Sequence, residues 1–206
     1  MSQAIEKPRR LPSQPRARQT YEAILDAAAQ ILRTRGENCL TTNHIAERAG
    51  VSVGTLYQYF KNKDMILLRL SDREVLRLRE RIGDVLGDAG AEPLETSTRR
   101  LVRSLIQFFA RRRHSRRVLL LNLLSVLANG KPDAMLRDTL AELSPLLNQG
   151  RLAAAPMDET TMFVMVHALL GVLRSAMVLR PALLESAELE DRLVQLILVY
   201  LQPAAT

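Results

Sequence analysis

An all-helical chain is what this sequence predicts, and three observations predict it. Apolar residues recur at spacings of three and four along most of the length, with no strand-like alternation. Apolar content is 47% against 4% aromatics, the composition of helices packed by aliphatic side chains. The stretch from Thr41 to Lys63, TTNHIAERAGVSVGTLYQYFKNK, then reads as two short helices held around a tight turn. At 206 residues the chain has room for a sizeable core, or for a small domain fused to a larger one.

Residues 1–18 hold Pro8, Pro12 and Pro15 with five Lys/Arg and one Glu, the pattern of a disordered basic arm. Such an arm either enters a minor groove or only adds non-specific attraction. Tyr21, Ile24, Leu25, Ala28, Ile31 and Leu32 mark a first helix from about Arg16 to Thr34, stopped at Gly36. Thr41 or Thr42 caps the second helix, whose apolar face is Ile45, Ala46 and Ala49, and Gly50 ends it in a left-handed turn. Ser52 caps the third, Val53 to Phe60, with Leu56 and Phe60 on one side. A fourth starts at Asn62 and runs to about Leu86, where Gly83, Gly87 and Gly90 end it. Turn residues divide the remainder into helices over Pro93–His114, Ser115–Ala128, Pro132–Leu147, Asp158–Leu179 and Ser186–Leu201.

The outward face of the third helix is small or hydrogen-bonding: Val53, Gly54, Thr55, Tyr57, Gln58 and Tyr59, followed by Lys61 and Lys63. Small residues let a helix backbone approach base edges, and hydroxyls, amides and ammonium groups reach bases and phosphates. An ordinary surface helix in a bundle fits the same spacing. The net charge of +7 favours an anionic partner, either nucleic acid or a membrane surface. Residues 1–70 carry 11 Lys/Arg against 6 Asp/Glu, net +5, whereas 151–206 carry 4 against 6, net −2. An anionic partner therefore belongs at the N-terminal end.

From Ile45 to Leu67 the sequence IAERAGVSVGTLYQYFKNKDMIL resembles the DNA-binding signature of the tetracycline-repressor (TetR) family of transcription regulators. The similarity extends over roughly Thr20 to Leu70, with Gly-Val-Ser, Leu-Tyr and Phe-x-x-Lys at the family's spacing. It implies a three-helix DNA-binding domain, residues 19–66, and a helical effector-binding and dimerisation domain, residues 67–206. The implied activity is a homodimer on a palindromic operator, most simply a repressor released by a small hydrophobic or amphipathic effector. Matched residue by residue, Thr42, Tyr59 and Lys63 fall where phosphates are held, with Ser52 and Gln58 beside them. Asn43, Val53, Gly54, Thr55 and Tyr57 fall where bases are read. Val53 departs from the polar or basic residue common there and offers only apolar contact, for instance to a thymine methyl.

Two later helices are apolar all round, which requires burial on more than one side. Asp158–Leu179 and Ser186–Leu201 are therefore expected to face both the protomer core and a second copy, with Ala168, Gly171 and Ser175 allowing close approach. The alternative is a monomer that buries both internally. Gln107, Asn122, Ser125, His167 and Arg174 interrupt apolar helices and, with Phe108, are the candidate effector pocket. An internal hydrogen-bond network would satisfy them equally, and His167 reads first as a satisfied core histidine. Met135, Met162, Met165 and Met177 either line an adaptable pocket or fill the core. The arginines Arg99, Arg100, Arg103, Arg111, Arg112, Arg113, Arg116 and Arg117, with His114, form either a solvated junction or an acidic-ligand or phosphate site.

Cys39 stands alone, which excludes an intrachain disulfide and argues for ordinary packing. No metal-ligand spacing, cofactor motif or catalytic constellation is visible, so the chain is expected not to be an enzyme. The apolar runs Met162–Leu173 and Val118–Ala128 fall short of the length that spans a bilayer, and a cytoplasmic protein without a membrane partner is expected. Two rivals share these features: an architectural DNA-binding protein without an effector, and a helical enzyme or carrier that borrows the motif.

Overall fold

The structure, a computed structural model, describes residues 14–87, 92–111, 117–119 and 158–201. Within them every regular element is helical. Helix α1, Pro15–Thr34, begins inside the expected arm, because proline at the first helical position already has the required φ and no donor to lose. It buries Tyr21, Ile24, Leu25, Ala28, Ile31 and Leu32 against α2, Thr42–Ala49, and α3, Val53–Tyr59.

Helix α4, Lys63–Gly87, is one continuous 25-residue rod. Asn62 caps it, its Oδ1 accepting the Met65 N–H at 3.0 Å. Gly83 lies within the helix and does not end it; the break comes at Gly87. Ile66, Leu67 and Leu70 pack into the N-terminal core, whereas Ile82 and Leu86 belong to a second core further along. The two cores thus divide along α4, between Leu70 and Ile82.

The second core is built by α5, Leu94–Ala110, α6, Glu159–Leu179, and α7, Ala187–Leu201. Helix α5 stops four residues before the expected His114, since Arg111 is extended. The helices expected over Ser115–Ala128 and Pro132–Leu147 lie outside the described residues, apart from a helical 117–119. Asp158 caps α6, accepting the Thr161 N–H at 3.0 Å, and those bonds to Thr161 hold its carboxyl below the usual carboxylate value.

Among the described residues only one side of α6 is covered. Met162, Met165, Leu169, Leu173, Ala176 and Met177 are buried, while Phe163, Val164, Val172 and Leu179 are exposed. The whole helix is 21 residues long with a mean hydropathy of 2.0 over 18 of them, enough by length and composition to cross a bilayer. This corrects the expectation drawn from the run Met162–Leu173, because Ala176, Met177, Val178 and Leu179 carry the apolar stretch on past Arg174 and Ser175.

Ion pairs join the helices at their surface. Arg103 donates to both oxygens of Glu190, at 3.0 and 2.8 Å, and Arg99 reaches Glu190 and Asp191, tying α5 to α7. Bonding from Arg103 holds the Glu190 carboxyl below its ordinary 4.5. A depressed carboxyl contributes stability above its unfolded value and loses it as the pH falls through the folded one. Glu190→Gln should therefore lower Tm at pH 7 by about 2–4 °C. The gap from the parent protein should close as the pH is taken below 4.5. Thermal melts across that range check both statements.

Candidate nucleic-acid interface and effector cavity

Helices α2 and α3 are too short to persist alone, so capping and burial fix them. Thr41 Oγ1 accepts the His44 N–H at 3.2 Å at the start of α2. Gly50 ends it at φ +68°, a conformation that favours glycine. Ser52 Oγ accepts the Thr55 N–H at 3.0 Å and opens α3. Leu56 and Phe60 are then fully buried, with the Phe60 ring stacked on Tyr21 at 4.9 Å. Arg48 donates to Gln30 at 2.9 Å, a strut between α2 and α1 that no sequence pattern signalled.

This burial turns the other side of α3 outward. Val53 and Tyr57 are 37% and 48% exposed, and Ser52, Gly54, Gln58 and Asn43 are exposed as well. Thr42, Thr55, Tyr59 and Lys63 are half-buried, Tyr59 edge-on to Tyr21. The hydroxyls of Thr42 and Tyr57 lie 3.3 Å apart, so residues from both helices meet at one place. Ser52 and Thr55 hydroxyls pair at 2.8 Å. Around Gly54 an added Cβ would meet only Ser52 Oγ, at 3.8 Å, leaving bare backbone there. All ten residues expected from the sequence therefore occupy α2, α3, the Ser52 cap and the first position of α4.

Residues 24–70, which contain this unit, match the sequence profile of the bacterial regulatory proteins of the tetR family. The chain carries a TetR-family DNA-binding domain. Over 65 residues it is 38% identical to the fatty acid metabolism regulator protein of Bacillus subtilis, a match covering 32% of this chain and 34% of that protein. Over 78 residues it is 36% identical to the transcriptional repressor KstR of Mycobacterium tuberculosis, covering 38% and 35%. The chain thus spans about a third of these relatives' own length. The crystal structure of a TetR-family transcriptional regulator from Streptomyces coelicolor is alike in fold, with TM-score 0.64 and 22% identity over 90% of this chain and 97% of that one.

Beyond the TetR-family domain, the expected pocket residues that are described, Gln107, Phe108, His167 and Arg174, do not come together. Gln107 is exposed and bonded to Arg81 at 3.2 Å. His167 is exposed too, stacked on Phe163 at 3.8 Å with Nδ1 2.8 Å from the Phe163 carbonyl, and so is not a core histidine. The reason is that α6, though apolar all round, is covered on one side only among the described residues. Phe108 is buried edge-on to Phe109, Arg174 is half-buried, and Asn122 and Ser125 lie outside the described residues, as does Met135. The other methionines, Met162, Met165 and Met177, are core.

Arg99, Arg100 and Arg103 do not form an open anion site, being paired with Glu95, Glu92, Glu190 and Asp191. Arg111 and Arg117 are exposed; Arg112, Arg113, His114 and Arg116 are outside the described residues.

A partly enclosed cavity of about 40 Å³ instead lies inside the second core, between Ile82 of α4, Leu101 and Leu105 of α5, Met165 and Leu169 of α6, and Ile197 of α7. Its other lining residues are Val166, Leu170, Leu201 and Thr98. The Thr98 side chain is fully buried and its hydroxyl has no hydrogen-bond partner among the described residues. An unmade bond of this kind costs about 1–3 kcal/mol. Sequence reasoning passed over Thr98 because a hydroxyl on a helix normally bonds its own preceding turn.

Gly50→Ala tests the turn between α2 and α3. Nothing lies within 4 Å of the added methyl, so only the positive φ opposes it. The expected loss is about 1 kcal/mol in a denaturant melt, with the helical content otherwise kept.

Proposed function

We propose that the chain is a transcriptional repressor that binds a palindromic operator as a homodimer and is released by a small hydrophobic molecule. The observation that carries it is the capped, core-anchored α3, whose exposed surface holds Val53, the bare backbone of Gly54 and Tyr57. A helix so placed fits a major groove, and two copies read half-sites about 34–36 Å apart. In this reading Thr42, Tyr59 and Lys63 hold phosphates, helped by Ser52 and Gln58. Asn43, Val53, Gly54, Thr55 and Tyr57 face the bases.

The uncovered apolar side supports the dimer. Phe163 is 58% exposed, Leu179 76% and, on α7, Val199 72%, too much apolar surface for a lone protomer to leave in water. A groove along His167, Gly171, Ser175 and Leu183 runs on the same side, with open space at Gly171. A second copy is a better cover than lipid, because the opposite side of α6 is committed to a protein core and Arg174 sits within the helix. The cytoplasm is the compartment where such a protein meets DNA, and the mechanism asks for no metal, cofactor or enzymatic step.

The effector would act by binding more tightly to the dimer geometry that does not fit the groove spacing, and its leverage equals that difference in affinity.

Footprinting on fragments selected from a random pool should reveal a protected inverted repeat; uniform protection would replace the repressor with an architectural protein. On that repeat Lys63→Ala should weaken binding to all sequences and reduce the slope of log K against log salt by about one unit. An unchanged slope removes Lys63 from the phosphate contacts. Replacing each half-site thymine in turn by deoxyuridine deletes one methyl, worth about 0.8 kcal/mol or roughly fourfold in affinity. One position should show that loss, and Val53→Ala should abolish it.

A further inference from the structure

The geometry points to His44 as a further DNA contact, whose imidazole donates to an operator phosphate when it is protonated. The inference rests on the operator reading above and adds a residue to that interface. His44 is the third residue of α2 and is exposed. Its Nδ1 lies 3.0 Å from the carbonyl oxygen of Cys39. A carbonyl only accepts, so Nδ1 carries the hydrogen, and Nε2 is the nitrogen that gains and loses a proton. Because Cys39 precedes the helix, the same bond turns the ring back toward the start of α2. Thr42 and Asn43 stand at that end, and the Thr42 hydroxyl, 3.3 Å from that of Tyr57, joins it to the exposed side of α3. The His44 N–H is taken by Thr41 Oγ1. Those of Thr42 and Asn43 have no partner among the described residues, and unpaired donors at a helix start draw a phosphate.

The charged and titratable groups on the elements around the ring are few. They are Glu47 and Arg48 of α2, Arg33 of α1, Arg35 just after it, Glu37 and Cys39 of the turn before α2, and Tyr57 of α3. Arg48 is turned to Gln30 on α1. Arg33, Arg35, Glu37 and Glu47 are exposed, and no carboxylate is bonded to the imidazole among the described residues. A cation on Nε2 is therefore open to a phosphate. Neutral, the bare Nε2 is an acceptor and has nothing to offer phosphate oxygens, which also accept. The complex thus holds more protons than the free protein, and affinity rises as the pH falls through the histidine range. The gain is full below the titration of the free ring and is lost above that of the bound one.

The test uses the full chain and the inverted repeat selected from the random pool. Affinity is measured by fluorescence anisotropy at constant ionic strength, from about pH 8.5 down to about pH 5.5. The expected gain is about fivefold per subunit, roughly 25-fold for two. Over the same range the slope of log K against log salt should steepen by about one unit per subunit. His44→Gln should bind at every pH as the parent protein does at the alkaline end. His44→Lys, with a fixed charge, should bind at the alkaline end as the parent does at the acid end. Proton NMR of the imidazole Cε1–H signals supplies a readout on the unaltered chain, assigned by the signal that His44→Gln removes. The His44 signal should titrate at higher pH in the operator complex than in the free protein. A flat parent profile, a profile that survives His44→Gln, or an unmoved His44 titration would each overturn the assignment. Operator binding in those cases leaves the repressor reading standing, whereas no operator binding at any pH removes both.

Discussion

A seven-residue helix cannot hold its own shape in water, because nucleation consumes most of what so few hydrogen bonds return. Helix α3 is that short, and every functional statement about this chain depends on where it points. Its position comes from Leu56 and Phe60, fully buried against α1, with Tyr21 stacked on Phe60. Ser52 and Gly50 define where the helix starts and how the chain enters it. The exposed side is thus specified by the hidden one. Changes at Leu56 or Phe60 would move the whole outward surface at once, while changes at Val53 or Tyr57 alter only what that surface offers.

Contacts around α4 connect the two cores. Arg73 binds Glu22 and Asp26 on α1, so the middle of α4 is fastened to the DNA-binding unit. Ser71 Oγ lies 2.9 Å from the carbonyls of both Leu67 and Leu119, and Leu119 itself is buried in the N-terminal core. The chain that follows α5 therefore reaches back into the first core. The bonds of Arg73 to α1 and of Ser71 to Leu119 take their partners from distant parts of the sequence, which is why local pattern did not disclose them.

Most of α1 to α4 could be read directly, because caps, a left-handed glycine and spacings of three and four are local signals and the structure uses them locally. Asp158 marked the start of α6 for the same reason. Legibility failed where the answer depended on which side of a helix is covered. His167 interrupts an apolar segment yet faces outward, since periodicity in an all-apolar helix does not say which face meets the core; Gln107 lies four residues after Arg103 on the exposed side of α5, where the spacing itself pointed outward. Thr98 was invisible for the converse reason: its surroundings, and not its own type, make its hydroxyl unusual. The arginines of α5 looked like a basic patch because their acidic partners, Glu190 and Asp191, lie some ninety residues away.

The unbroken course of α4 has a mechanical consequence. Its 25 residues make a rod about 37 Å long, and Lys63 stands at one end while Ile82, beside the cavity, stands near the other. A tilt of about 5° over that length displaces the far end by roughly 3 Å, close to the rise of a single base pair. In the repressor proposed above, small adjustments among aliphatic side chains would in this way be magnified into a mismatch that a stiff double helix does not follow.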